Sequence, residues 1–208
     1  MPGDVILTSL KPSFFPQDLM FCERRVKSLF VSVNMASRLL GLTLMLLYQN
    51  LTIRQCENRC YEQSGLSPSV LMQRAGQAAF DFMRSRYSAV SQIVVFCGKG
   101  NNGGDGFVFA RLAHQMGYDV RVLVVEPVCA TETAQEAFDD CQASGVKIEV
   151  FSDKYVIEAD LLVDALLGSG AQGQLRSPYA ACVAAMNDSL IPILSLDMPT
   201  GVDADTGF

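Results

Sequence analysis

The chain has 208 residues, half of them apolar, with 22 acidic against 16 basic side chains and a formal charge of −6. That length suffices for a core in one domain-sized unit, and the absence of a basic surface turns the reading away from nucleic acid. The seven cysteines (Cys22, Cys56, Cys60, Cys97, Cys129, Cys141, Cys182) are odd in number and scattered without a CxxC pair. They read as free thiols of a reducing compartment, so the expected location is cytoplasmic. Cys56 and Cys60 are four apart, but the lone histidine, His114, falls on a different predicted helix and reads as a partly exposed helix residue. Zinc is therefore not expected.

Residues 1–44 carry "KPSFFPQ", a basic cluster at Arg24, Arg25 and Lys27, and the start of the apolar run "LLGLTLMLLY", without a sustained period. A membrane span needs about 20 apolar residues, and Asn34 and Arg38 interrupt the one candidate, so no membrane is expected. Asp4, Asp18 and Glu23 argue against a targeting peptide. The expectation is an extension outside the fold over 1–44, with Met45 an alternative start, and a domain over 45–208.

From Leu51 the elements follow in order. "LTIRQCENRCYEQSG" predicts a short helix capped by Thr52 and stopped by Gly65. "SPSVLMQRAGQAAFDFMRSRY" predicts a helix with Ser67 as cap, Pro68 at the first position, and a packing stripe through Leu71, Met72, Ala75, Ala79, Phe82 and Met83. The continuous apolar run "QIVVFC" predicts a strand buried on both faces, and "GFVFARLAHQMG" a crossover helix closed by Gly117. "DVRVLVVE" is a strand, "ATETAQEAFDDCQASG" a helix starting near Thr131 or Thr133 and ending at Gly145, and "KIEVF" and "ADLLVDALLG" are strands. "SPYAACVAAMND" is a helix and "IPILSLDMPTG" a strand running into a loop. Strand and helix in alternation predict a mainly parallel sheet with helices on both faces.

In such sheets ligands meet the carboxyl ends of the strands. Three predicted ends carry polar, glycine-rich text: Gly98 to Gly106, Asp164 to Gln174, and Asp197 to Asp203. Gly98-Lys99-Gly100-Asn101-Asn102-Gly103 fits G-x-G-x-x-G between a strand and a helix, a place where backbone N–H groups can meet phosphate. Gly104 in place of lysine excludes a P-loop, and Asp105 at an anion-binding helix start calls for hydroxyls, a cap or a cation to contact. Singly, Asp164 could be a loop cap and Asp197 a turn residue before Pro199.

Together "GKGNNGGDGFVFARL", "DALLGSGAQGQLRSP" and "SLDMPTGVDADTG" resemble the NAD(P)H-hydrate epimerase family, the YjeF N-terminal domain, from about Leu51 to the end. The resemblance implies a three-layer α/β/α Rossmann-like sandwich that interconverts the R and S epimers of NADHX and NADPHX. It places one substrate loop on Asn101, Asn102, Gly103, Gly104 and Asp105, and a second on Gly168, Ser169, Gly170, Ala171, Gln172, Gly173 and Gln174. It puts a substrate-contacting acid on Asp197 and potassium ligands on Asn102, Asp164 and Thr200, the last replacing the family's usual serine. An amide, a carboxylate and a hydroxyl suit a hard alkali cation. Asp197 is the candidate acid–base residue, with Asp105 as fallback.

The family continues past the "DMPTG" loop, and many bacterial members carry a dehydratase domain, so the chain reads as the front part of a longer protein with a fused or separate dehydratase partner. A homodimer stays open. Two other readings stand beside the enzyme. One is a scaffold module that keeps the dinucleotide pocket without turnover. The other is a nicotinamide oxidoreductase using Gly98, Gly100 and Gly103 with Glu126 on the ribose, which expects a separate substrate domain beyond these 208 residues.

Overall fold

The computed structural model describes residues 65–171 and 173–203; the extension over 1–44 and the short helix expected over 51–64 lie outside the described residues. From Ser67 onward the chain forms a compact unit. Its elements are α1 (Pro68–Arg86), β1 (Gln92–Cys97), α2 (Asn101–Gln115), β2 (Asp119–Val124), α3 (Glu132–Ala143), β3 (Lys147–Val150), β4 (Leu161–Ala165), α4 (Tyr179–Asp188) and β5 (Ile193–Ser195). The five strands lie in the order β3-β2-β1-β4-β5, and every pairing is parallel.

The two-residue period of a strand explains how one apolar run serves two faces. Ile93, Val95 and Cys97 of β1 join Val120, Val122, Leu161 and Val163 in a core shared with α1, α2 and α3. Val94 and Phe96 point the other way, with Leu123, Leu162 and Leu166, against Cys182 and Met186 of α4. Helix, sheet and helix thus make three layers, as expected. Each fully buried aliphatic or aromatic side chain contributes about 1.5–3 kcal/mol, and β1 is buried throughout except at Gln92.

The helix ends follow local chemistry. The Ser67 hydroxyl accepts from the Val70 N–H at 3.3 Å with Pro68 next in line, and the Thr131 hydroxyl caps α3 by accepting from Ala134 at 3.2 Å. Gly117 (φ 90°) and Gly145 (φ 92°) take the left-handed turn that ends α2 and α3. The buried stripe of α1 runs through Met72, Gly76, Ala79, Phe80 and Met83, whereas Leu71, Ala75 and Phe82 are half-buried. Gly76 was absent from the expected stripe because its role is clearance: a Cβ there would press on Val108 of α2 and lie 3.0 Å from the Asp105 carbonyl. Among the described residues no helix is long and apolar enough to cross a membrane.

Candidate functional site at the carboxyl ends of the strands

The glycine-rich stretch after β1 is helical sooner than its composition suggests. Asn101-Asn102-Gly103-Gly104-Asp105 is not a loop but the opening of α2, with Gly100 as a cap that has no side chain to bond. Intrahelical bonding begins at once, the Gly104 N–H donating to the Gly100 carbonyl at 3.1 Å. Burial and close packing override the low helix propensity of glycine here. Neither Gly98 nor Gly103 has positive φ. Instead, the place of a Cβ on Gly103 is filled by the Gly98 carbonyl, and that on Gly98 by the Leu166 carbonyl. The two glycines let β1, α2 and the end of β4 touch backbone to backbone, whereas Gly100 has nothing within 4 Å of a Cβ.

Asp164 is the charged residue in the buried interior of β4, in register between Phe96 of β1 and Ser195 of β5. Its Oδ1 accepts from the Thr200 hydroxyl at 2.7 Å and the Leu166 N–H at 3.2 Å; its Oδ2 accepts from the Thr200 N–H at 2.8 Å and, more weakly, the Ser195 hydroxyl at 3.4 Å. Burial nevertheless outweighs these donors and pushes the Asp164 carboxyl above its ordinary range. The Thr200 hydroxyl also accepts from the Leu167 N–H at 3.1 Å, which ties the loop after β5 to the end of β4.

Asn102, in the first turn of α2, has 8 % of its surface exposed and no hydrogen-bond partner for either amide atom. Such groups cost about 1–3 kcal/mol each when left unmade, so the orphaned Asn102 amide calls for an explanation. Gly168 joins the loops: a Cβ on it would lie 3.4 Å from the Asn102 Cβ and would meet the Asp197 carboxylate. Asp197 Oδ2 accepts from the Ser169 N–H at 2.6 Å. Asp197 itself has φ 61°, and the Met198 N–H reaches back to the Leu196 carbonyl at 2.8 Å across it. A tight three-residue turn with a non-glycine residue at its centre is a strained conformation, of a kind that gathers at functional sites.

The expected residues therefore divide. Asn102, Asp164, Thr200, Asp197, Gly168 and Ser169 converge. Gly170, Ala171, Gly173 and Gln174 are exposed on the segment leading to α4, and Gln172 is not among the described residues. Asn101 is exposed, its Oδ1 accepting from the Thr131 hydroxyl at 2.7 Å, and Asp105 is half-buried on α2, its backbone carbonyl close to Gly76 of α1. Sequence reasoning missed Ser195, whose hydroxyl completes the Asp164 shell, and the bond of Thr131 to Asn101, since Thr131 reads in sequence only as one of two residues near a helix start. Neither carries a signal in sequence beyond a small hydroxyl near a strand end. The described cysteines are free; burial pushes Cys141 and Cys182 up to about 12, which leaves them as inert core thiols.

A family model described as the N-terminus of YjeF-related proteins matches residues 68–208. The chain is 43% identical over 162 residues to a bifunctional NAD(P)H-hydrate repair enzyme of Coxiella burnetii, covering 77% of this chain and 33% of that protein. It is 36% identical over 147 residues to an NAD(P)H-hydrate epimerase of Limosilactobacillus fermentum, covering 70% of each. The crystal structure of yeast ynu0 shares the fold at a TM-score of 0.69 and 24% identity, over 77% of this chain and 72% of that one. The aligned part of the chain spans about a third of the first of these relatives. With three glycine-rich or acidic strand ends folded into one cluster and a family match over most of its length, the chain belongs to the YjeF-related N-terminal family.

Proposed function

We propose that the chain interconverts the R and S epimers of NADHX and NADPHX, with Asp197 as the acid–base residue. The names of the relatives support the reaction. The observation that carries the reading is the placement of Asp197, a carboxylate held on a strained turn by the Ser169 N–H and set beside Gly168, where a larger residue would collide with it.

C6 of the hydrated ring bears a hydroxyl and is bonded to the ring nitrogen. Protonation of that hydroxyl by the Asp197 carboxyl lets the nitrogen lone pair expel water, leaving a planar iminium that the Asp197 carboxylate faces. Water adding to the opposite face gives the other epimer and releases a proton to solvent, from which the Asp197 carboxyl is restored. The first turn of α2 offers its N–H groups, and Gly100 open space, to the dinucleotide phosphates. Within the second proposed loop, Gly168 and Ser169 border Asp197, and Gly170, Ala171, Gln172, Gly173 and Gln174 flank the substrate.

The same reading includes a potassium ion held by Asn102, Asp164 and Thr200. The fit rests on the orphaned Asn102 amide and on the hard donor set of an amide oxygen, a carboxylate and a hydroxyl. Bound there, the ion would supply positive charge next to a buried carboxylate that its own hydrogen bonds do not fully compensate. A dehydratase, fused or separate, is the proposed working partner, and the cytoplasm the proposed location.

The test is chromatographic separation of the two NADHX epimers after adding protein to a sample enriched in one of them, against the spontaneous rate. Asp197→Asn keeps shape and removes the proton, so turnover falls by about 10² or more while ligand affinity is largely kept. A parent protein that never exceeds the spontaneous rate points to the scaffold reading. A variant as fast as the parent moves the acid–base role to Asp105.

A further inference from the structure

The strand order places β2 beside β1 on the side away from Asp164 and Asp197. Three groups meet there from three elements. Lys99 follows Gly98 in the turn after β1, Glu126 lies two residues past β2, and Tyr179 opens α4. The Lys99 ammonium is 3.2 Å from Glu126 Oε2, with the two side chains 48% and 38% exposed. The Lys99 backbone N–H faces the Tyr179 phenol. The Lys99 carbonyl accepts from the Ala130 N–H at 2.7 Å, holding the turn from the β2 side as well. Next to Lys99, Gly100 leaves open space over the turn.

A half-exposed ion pair is usually only a solvated contact. Its position gives this one a further use. In a sheet of this order, a dinucleotide whose phosphates meet the helix start after β1 lays its adenosine ribose over the end of β2. An acid there accepts from the ribose 2′-hydroxyl, or a cation there meets a 2′-phosphate. This chain has both, each neutralising the other.

We infer that Lys99 and Glu126 form the subsite that reads the 2′ position of the adenosine ribose. Glu126 accepts from a free hydroxyl, and Lys99 leaves Glu126 to pair with a phosphate, so dinucleotides with and without the phosphate are both admitted. The inference rests on the dinucleotide reading of the site given above.

Calorimetric titration of the whole chain with NAD+ and with NADP+, at one ionic strength, tests it in the parent, in Glu126→Gln and in Lys99→Met. The ratio of NADP+ to NAD+ affinity is expected to rise by at least about threefold in Glu126→Gln and to fall by at least about threefold in Lys99→Met, the yield of one charge-assisted bond discounted for exposure. A smaller shift in either variant, or shifts in the same direction, overturns the subsite. Failure of the parent to bind either nucleotide overturns the dinucleotide reading and the subsite with it, whereas binding with an unmoved ratio removes the subsite alone. Melting temperatures close to the parent's show that both variants are folded.

Discussion

Asn102 is the residue whose environment asks most plainly for a partner. A buried amide with two unmade bonds is tolerated at a cost, and an ion that accepts its oxygen would offset that cost only in the folded state. Potassium chloride is accordingly expected to raise the melting temperature above that in sodium or tetramethylammonium chloride at equal ionic strength. Asn102→Leu, of similar size, removes the unmade bonds, so in potassium-free buffer it is expected to be at least as stable as the parent and to have lost the potassium increment. Equal melting temperatures of the parent across the three salts would remove the cation from the site. Asp164 and Thr200 are poorer places to test this. Their mutual bonds hold the ends of β4 and β5 together, so their loss mixes ligation with folding.

At the scale of the element, α2 is the piece on which the site is mounted. The family likeness makes its first turn a substrate loop, and its glycine, asparagine and aspartate are residues that favour turns. The stretch is helical and constrained by contact between backbones: the carbonyl of Gly98 occupies the space that any larger residue at Gly103 would need. Gly103→Ala is therefore expected to destabilise the protein by about 1–3 kcal/mol through overpacking, a loss of several degrees in thermal melting. Gly100→Ala, with nothing within 4 Å of the added methyl, is expected to melt near the parent. Equal melting of the two variants would mean that the backbone contact does not constrain α2. Valine at Gly103 would thus report on folding before it reported on ligand approach.

For the molecule as a whole, the parallel sheet separates tasks between its two ends. The carboxyl ends carry the turn at Asp197 and the unpartnered Asn102 amide, and the amino ends of β1 and β4 carry a carboxylate clamp. Asp160, just before β4, accepts from the Ser91 N–H, the Ser91 hydroxyl and the Gln92 N–H, each at 2.9 Å, and so clamps the starts of β1 and β4. These three donors hold its carboxyl below the ordinary range. A carboxyl depressed in the folded state stabilises above its unfolded pKa and loses that contribution as pH falls through its folded value. Melting curves of the parent and Asp160→Asn are thus expected to differ at neutral pH and to converge below about pH 4, the ordinary carboxylate range. A gap that persists unchanged to pH 2 would assign the clamp to shape rather than charge.

The sequence by itself determined the alternation of elements and the class of fold. Apolar runs such as "QIVVFC" and "ADLLVDALLG", short and bounded by turn residues, read as strands covered on both faces, and Ser67, Pro68, Thr131, Gly117 and Gly145 mark helix ends by local chemistry that needs no tertiary contact. It also named Asn102, Asp164, Asp197 and Thr200, through motif order and family likeness. Only the tertiary structure decided what those residues face. That Asn102 lacks partners, that Ser195 and Thr200 share Asp164, that Gly168 borders Asp197, and that Lys99 reaches Glu126 all depend on strands whose neighbours in space are not their neighbours in sequence. Local propensity speaks for a few residues along the chain. Clearance for a carbonyl or a missing hydrogen bond exists only once the sheet has ordered its strands.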